Sequence, residues 1–431
     1  MPSKVEVFIL RDQEGPILYA PLRNVSVRIN EAAVGTVARR LKHLPALPGD
    51  EEVLEVLDRH QVFEPAPVPD MPLEKPVHVT LFPTDGCNLR CRYCYAKAEG
   101  ARHVMPVSAG KAAVDLVLQN ALDQGKESFE VSFHGNGEPF TAFSVVRDVT
   151  EYARKRAEEE NITCYVTATS NGVMSEEILD WVLAWVDDIT ISFDGLEDLQ
   201  NRQRPMADGG KSFPAADRTL KRLDRSGRSF SIRTTLTRDS VENLVPLAMA
   251  VAESYPHCHL LHIEPSWESG RSIVNDLQSP DPDEFISRFL EADALLQGKI
   301  QLVYSGDRAG YLDTTFCQAS RDGFTVTAEG NVTACYELCE PSVPGSERFI
   351  YGKWDEAQGF MFDERKMADL HTLRVENMPY CRDCFCKYSC CGDCPAKLLG
   401  TQDPCSHQGS WRCRITRAVT LARISRALSS Q

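Results

Sequence analysis

Between residues 77 and 265, six short segments rich in β-branched and aromatic residues alternate with helix-patterned stretches. They are VHVTLF (77–82), FEVSFH (129–134), TCYVTATS (163–170), DITISF (188–193), FSIRTT (230–235) and LLHIEP (260–265). One of the intervening stretches carries Val114, Val117, Leu118, Ala121 and Leu122 at i, i+3, i+4, i+7 and i+8 spacing, which is an amphipathic helix. This alternation constrains the fold most. Parallel strands cannot be joined by tight turns and need a crossover, usually a helix. The pattern therefore predicts an α/β fold: a parallel sheet covered by helices, as an open sheet or a partial barrel. In a barrel, chemistry sits at the C-terminal ends of the strands.

The cysteines fall at such a place. Cys87, Cys91 and Cys94 follow the first strand as C-x3-C-x2-C. Of sixteen cysteines none precedes Cys87, and eleven lie between Cys317 and Cys413. Clustered thiols in a long chain with no secretory signature point to metal or cluster ligation rather than a disulfide scaffold. A four-iron cluster or a closed zinc site takes four ligands. Three local thiolates leave one position open for a small molecule. The alternative is a zinc site completed by a distant His or Cys.

This triplet after a first strand, with the aromatic Tyr93 before its last cysteine, resembles the radical S-adenosylmethionine superfamily. The resemblance implies a partial (β/α)6 TIM-like barrel. It also implies a [4Fe–4S] cluster on Cys87, Cys91 and Cys94 whose open iron is chelated by S-adenosylmethionine. Reductive cleavage then yields a 5′-deoxyadenosyl radical that abstracts hydrogen. Further stretches match in order. HGNGEP (134–139), with Gly135, Asn136, Gly137 and Glu138, resembles the turn that meets the methionine amino group. Asn136 stands where glycine is usual, and asparagine enters left-handed backbone more readily than most residues. TSNG supplies Ser170 and Asn171 for the ribose, and SFDG supplies Ser192 and Asp194. QNRQRP resembles the segment whose arginine meets the methionine carboxylate; Arg204 aligns, with Arg202 close by.

Cys317, Cys335, Cys381, Cys384, Cys390, Cys394 and Cys413 resemble the SPASM extension, which carries two auxiliary [4Fe–4S] clusters. The resemblance implies that Cys317, Cys335 and Cys394 share one cluster and Cys381, Cys384, Cys390 and Cys413 the other. The eighth ligand is Cys339 or is absent. Sulfatase-maturing relatives use an aspartate directly after the cysteine matching Cys335. Here Tyr336 and Glu337 follow, and these are the candidate catalytic residues for proton transfer. Glu264 and Arg271 are expected to face substrate. Cys164 and Cys258 read as core thiols, and Cys386, Cys391 and Cys405 as cluster surroundings. A C-terminal helix over 414–428 carries Arg414, Arg417, Arg423 and Arg426, read as a solvated face.

Residues 1–64 read as three strands and two helices, the second capped by Asp50. This small winged-helix-like α+β module resembles the recognition element of enzymes that modify ribosomal peptides. An extended linker with five prolines follows over 65–76, then the barrel over 77–305 and the cluster-bearing domain over 306–431. A net charge of −15 argues against nucleic acid or anionic membrane as partners. No apolar run approaches the roughly 18 residues of a spanning helix. A cytoplasmic protein is expected. The implied function is a peptide maturase that forms a thioether or other cross-link in a leader-bearing precursor peptide, with electrons from a flavodoxin- or ferredoxin-type donor. Sulfatase-maturase-like oxidation and epimerisation are the alternatives. A zinc-stabilised binding protein without catalysis is the reading from a different class.

Overall fold

The computed structural model describes residues 3–69, 72–96, 98, 100, 103–308, 310–398 and 406–429. Cys405 lies outside them. The chain divides into two compact units. One comprises Met1–Pro72, Gly306–Phe316 and Leu373–Gln431, the other Leu73–Ser305 and Cys317–Thr372. Residues 306–431 are thus shared between the units.

In the first unit, β1 (Ser3–Lys4) pairs antiparallel with β5 (Ala66–Pro67). The strands β2 (Phe8–Asp12), β3 (Gly15–Ala20) and β4 (Val25–Arg28) form an antiparallel sheet in that order. The helices Glu31–Leu41 and Asp50–Arg59 complete a small core of Leu18, Ala20, Val37, Leu57 and Val62. Asp50 does not cap its helix as expected. Gly49, at φ +94°, is the cap, because glycine enters that left-handed conformation without strain. The buried Asp50 carboxylate instead accepts from the Leu47 amide (2.7 Å) and pairs with Arg39 on the preceding helix.

The C-terminal helix spans Trp411–Ser429 and packs on β2 and β4. Ser425 donates to Asp12, which also pairs with Arg28 at 2.8 Å. The N-terminal module and this helix are therefore one packed body. The helix arginines are not simply a solvated face. Arg414 and Arg426 are exposed, but Arg423 pairs with the buried Asp307 at 2.9 Å, and Arg417 turns toward cysteines. The cause is the burial of a helix that covers other elements over most of its length.

The second unit holds the expected barrel. Seven parallel strands lie side by side in chain order: β6 (His78–Leu81), β7 (Ser128–Phe133), β8 (Thr163–Ser170), β9 (Asp188–Ser192), β10 (Phe230–Leu236), β11 (Cys258–Pro265) and β12 (Gln301–Val303). The first six match the sequence segments to within two residues. The seventh is only three residues long, too short to show a pattern. Beyond β6 the sheet continues through β13 (Thr325–Val326), parallel to it, and the antiparallel β14 (Asn331–Thr333), β15 (Ile350–Asp355) and β16 (Gly359–Phe362). The barrel is thus partial.

Burial alternates along β7, β8 and β9. On β7 Phe129, Val131 and Phe133 are buried, while Ser128, Glu130 and Ser132 are half-buried on the other face. Apolar side chains meet the helices, as period-two alternation requires. Cys164 and Cys258, 2% and 1% exposed, belong to this layer, as expected of core thiols. The opposite, lumenal face is polar, and neighbouring strands are laced there by bonds such as Thr167 Oγ1 to Glu130 Oε1 (2.8 Å).

Candidate cofactor and cluster sites

The Cys87–Cys94 loop leaves the C-terminal end of β6 and is held from two sides. On one side runs the stretch after the helix Glu197–Gln203. The amides of Arg90 and Arg92 donate to the carbonyls of Pro205 and Gln203 (both 2.8 Å), and the amide of Ala207 donates to that of Asn88 (2.8 Å). This ladder carries the Arg204 side chain into the site. Arg202, in the last helical turn, is exposed, so Arg204 is the arginine brought to the cysteines. On the other side residues 270–275 strap the loop. The Arg271 amide donates to the Cys94 carbonyl (2.8 Å), its guanidinium donates to the carbonyls of Cys91 and Ala98, and Asn275 donates to that of Arg92 (2.9 Å). Arg271 thus braces the cysteine loop, contrary to the expectation that it faces substrate. Gly270 is necessary here, since a Cβ would strike the carbonyls of Cys94 and Tyr95.

Burial pushes the Cys87 thiol up to about 11 and that of Cys91 to about 12; neighbouring cysteines push the same way and Arg204 opposes. Buried, mutually repelling thiols with a cation alongside become thiolates most readily on a metal centre. The Arg204 guanidinium donates to Tyr93 Oη (2.8 Å), which donates to both oxygens of Asp194 (3.0 and 2.8 Å). Burial raises the Asp194 carboxyl to about 6, and Arg204 counteracts this. Burial works against charge on Arg204, but Cys91, Tyr93 and Asp194 hold the guanidinium firmly protonated.

The HGNGEP turn follows β7. A Cβ on Gly137 would meet the Gly86 carbonyl oxygen and that of Thr84 (2.7 Å), so only glycine allows the turn to lie on the cysteine loop. Gly135 is nearly as confined, by Gly137 itself. Asn136 does not use left-handed backbone; φ is negative there, and its side chain donates to Glu340. Asparagine is accommodated at this position without strain. Glu138 is buried and accepts from the Asn171 amide (2.7 Å) and Ser170 Oγ (2.8 Å), joining the second and third strand ends. Asn171 Nδ2 also reaches Cys87 Sγ (3.8 Å). Ser192 is half-buried on β9, beside Arg233 in register.

Cys317, Cys335 and Cys339 belong to the same unit. Cys317 is exposed, Cys335 half-buried and Cys339 buried, with its thiol pushed up to about 12. Tyr336 enters the lumen, bonds Thr80 Oγ1 (2.9 Å) and packs its ring, tilted by 33°, against His134 with centroids 4.7 Å apart. Tyr95 lies within electrostatic reach of Cys94 and of Cys335, Cys339 and Glu337. It was not singled out in the sequence; its one signal is a second aromatic, directly after the triplet.

In the first unit, Cys381, Cys384, Cys390 and Cys413 all line one small cavity together with Cys386, His407 and Arg417. Among the described residues, no three such side chains converge on a single-ion point. His407 Nδ1 accepts from the Gly409 amide (3.3 Å), so its Nε2–H points at Cys413 Sγ (3.5 Å). Hydrogen bonds from Cys386 and Arg417 pull the Cys384 thiol down to about 6. Cys391 faces away, toward the carbonyls of Asp313 and Tyr388. The Cys394 amide donates to Asp393 (2.8 Å), whose carboxylate is paired with the buried Arg412.

The profile of the Radical SAM superfamily matches residues 81–248, which contain the triplet, the glycine turn and Arg204. This is a radical SAM domain. The chain is 24% identical over 219 residues to Fe-coproporphyrin III synthase of Methanosarcina barkeri, covering 50% of this chain and 51% of that one. It spans about half the length of the curated relatives it matches. Its fold is similar to that of native anSMEcpe with bound AdoMet and Cp18Cys peptide: TM-score 0.63, 17% identity, covering 83% of this chain and 100% of the other. It is also similar to Streptococcus suis SuiB bound to precursor peptide SuiA: TM-score 0.57, 14% identity, covering 95% and 99%.

Residues of the radical SAM domain fit the implied cofactors on one further observation. Arg204 Nε and both polar atoms of the Gln203 side chain are buried without a hydrogen bond. Such atoms cost about 1–3 kcal/mol each when left without a partner. A zwitterionic ligand beside Arg204 would supply partners.

Proposed function

We propose that the chain is a radical S-adenosylmethionine enzyme that modifies a ribosomally made peptide, forming a thioether or another cross-link. The observation that carries this reading is the convergence on the Cys87–Cys94 loop of the glycine turn, Glu138 and Arg204, at the C-terminal end of a polar-lined partial barrel. Cys87, Cys91 and Cys94 would hold a [4Fe–4S] cluster, and Arg204, fixed by Tyr93 and Asp194, the methionine carboxylate. The Gly135–Glu138 turn would hold the amino group, and Ser170, Asn171 and Ser192 would meet the ribose. When bound, this pair supplies a one-electron cleavage that yields a 5′-deoxyadenosyl radical able to take hydrogen from an unactivated position.

Cys381, Cys384, Cys390 and Cys413 suit an auxiliary cluster, supported by the cavity they share. Cys317 and Cys335, with Cys339 as a candidate, suit a second. Tyr336, bonded to Thr80, would transfer a proton in the lumen, with Glu337, two residues after Cys335, as the second candidate. Peptide as substrate is supported by the similarity in fold to two proteins whose structures hold a peptide. The three-stranded sheet β2–β3–β4 offers an edge on which a leader segment could add as a strand. Electrons would come from a flavodoxin or ferredoxin.

The test is anaerobic co-expression with precursor peptides encoded beside the gene, followed by mass spectrometry. Loss of two hydrogens per site, located by fragmentation, supports cross-linking. An unchanged mass with deuterium uptake from deuterated water would replace it with epimerisation, and no change of either kind would overturn the peptide reading.

A further inference from the structure

A charged group stands inside the barrel that none of the roles above uses. Arg233 projects from β10 onto the polar face and is half-buried. Its Nη1 donates to His262 Nδ1 on the neighbouring strand β11 (3.1 Å). An arginine can only donate, so His262 Nδ1 is an acceptor and its proton is on Nε2. That Nε2–H donates to Glu264 Oε1 (2.9 Å), and the same oxygen accepts from the Ser305 amide (2.9 Å). The row Arg233–His262–Glu264 is thereby oriented from the barrel edge inward. The Glu264 carboxylate bonds the imidazole and makes no ion pair with the guanidinium. Among the described residues the Arg233 side chain makes no ion pair and no other hydrogen bond.

Its position is equally informative. Arg233 is register-paired with Ser192, and the Thr235 amide, two residues on, donates to Asp194 (3.4 Å). Arg233 thus lies one pleat, roughly 7 Å, below the level of Asp194. On its other side it is close enough to His134 to lower that imidazole's basicity to about 4, burial being the larger cause, and Tyr336 packs against His134. A half-buried guanidinium with open donors, in a lumen beneath the proposed cofactor, is a carboxylate receptor: its planar fork matches two carboxylate oxygens, and a low-dielectric surround strengthens the contact.

We infer that Arg233, held in place by His262 and Glu264, binds a carboxylate of the substrate and so sets which residue of it is presented to the radical. The inference rests on the peptide reading above for the nature of that substrate. The carboxylate would be an Asp or Glu side chain or the chain terminus.

The test is saturation-transfer NMR on the anaerobically reconstituted full chain with three probes. N-acetylglutamate amide carries only a side-chain carboxylate, N-acetylglutamine only a terminal one, and N-acetylglutamine amide none. The expected result is that one or both acids bind roughly tenfold better than the neutral probe, which names the source. Arg233→Gln should abolish this preference and Arg233→Lys keep part of it. His262→Phe, which removes the acceptor that orients Arg233, should weaken the preference, and His262→Gln, which keeps an acceptor, should restore it. Equal signals from all three probes on the wild type, no signal from any, or an acid preference that survives in Arg233→Gln would overturn the inference. None of these readouts depends on turnover. Failure to find a modified peptide would therefore sink the functional reading without deciding this one.

Discussion

Glu138, after the second barrel strand, accepts the backbone amide of Asn171, after the third, at 2.7 Å, in a place where the carboxyl is almost wholly buried. One side chain thus locks two strand ends against each other directly behind Cys87. Burial raises its carboxyl from 4.5 to about 7, against the pull of the Asn171, Ser170 and Phe140 hydrogen bonds.

A pH dependence follows. With the folded value above the unfolded one, Glu138 contributes stability that is complete below about 4.5 and is lost as the pH rises through about 7. Between pH 5 and 8 the cofactor-free wild type should lose about 2–3 kcal/mol relative to Glu138→Gln. Denaturant midpoints at the two pH values measure this; parallel behaviour of both proteins would contradict it.

Gly137 admits no side chain. Gly137→Ala drives a methyl group into the carbonyls of Gly86 and Thr84, so the turn must lift from the cysteine loop. A destabilisation of about 1–3 kcal/mol is expected, with loss of S-adenosylmethionine binding. Asn136→Gly removes the bond to Glu340 and should cost about 1 kcal/mol, yet leave S-adenosylmethionine binding in place, because the backbone there is unstrained. Thermal midpoints and equilibrium dialysis with S-adenosylmethionine distinguish the two.

Arg271 braces the cysteine loop through two carbonyls. Arg271→Ala should release about 1–3 kcal/mol of loop stabilisation. Iron held by Cys87, Cys91 and Cys94 should then pass faster to a chelator. An unchanged rate would mean that the Asn275 bond to the Arg92 carbonyl suffices.

Arg412 and Asp393 form an ion pair in which both side chains are 1% exposed. Arg412→Met leaves a buried carboxylate next to Cys394 and should cost about 3–5 kcal/mol. Replacing both partners with apolar residues should recover much of that loss. Denaturation of the single and double variants checks the coupling.

The barrel and most of the cofactor site were legible in the sequence for separable reasons. Strand segments such as TCYVTATS carry their own period; the spacing C-x3-C-x2-C points to metal ligation with an open position, and its chemistry comes from the family resemblance. Arg204 could not be separated from Arg202 by spacing. Only the ladder from Gln203 and Pro205 to the cysteine loop decides between them. The 270–275 strap was misread because Arg271 acts on backbone carbonyls, which leave no mark on composition. The three-residue β12 is too short to show alternation. Asp50 has the residue type of a cap, but Gly49 takes the role by its backbone freedom. Arg233, a lone arginine on a strand, has no pattern in sequence until His262 and Glu264 stand beside it.

The most direct test of the central claim is the release of 5′-deoxyadenosine from S-adenosylmethionine by the anaerobically reconstituted, reduced protein, beside its Cys87→Ala/Cys91→Ala/Cys94→Ala variant. The account predicts release by the wild type, none by the variant, and about four fewer irons in the variant. Release that persists in the variant, or a reduced wild type with a full complement of iron that releases none, would contradict it.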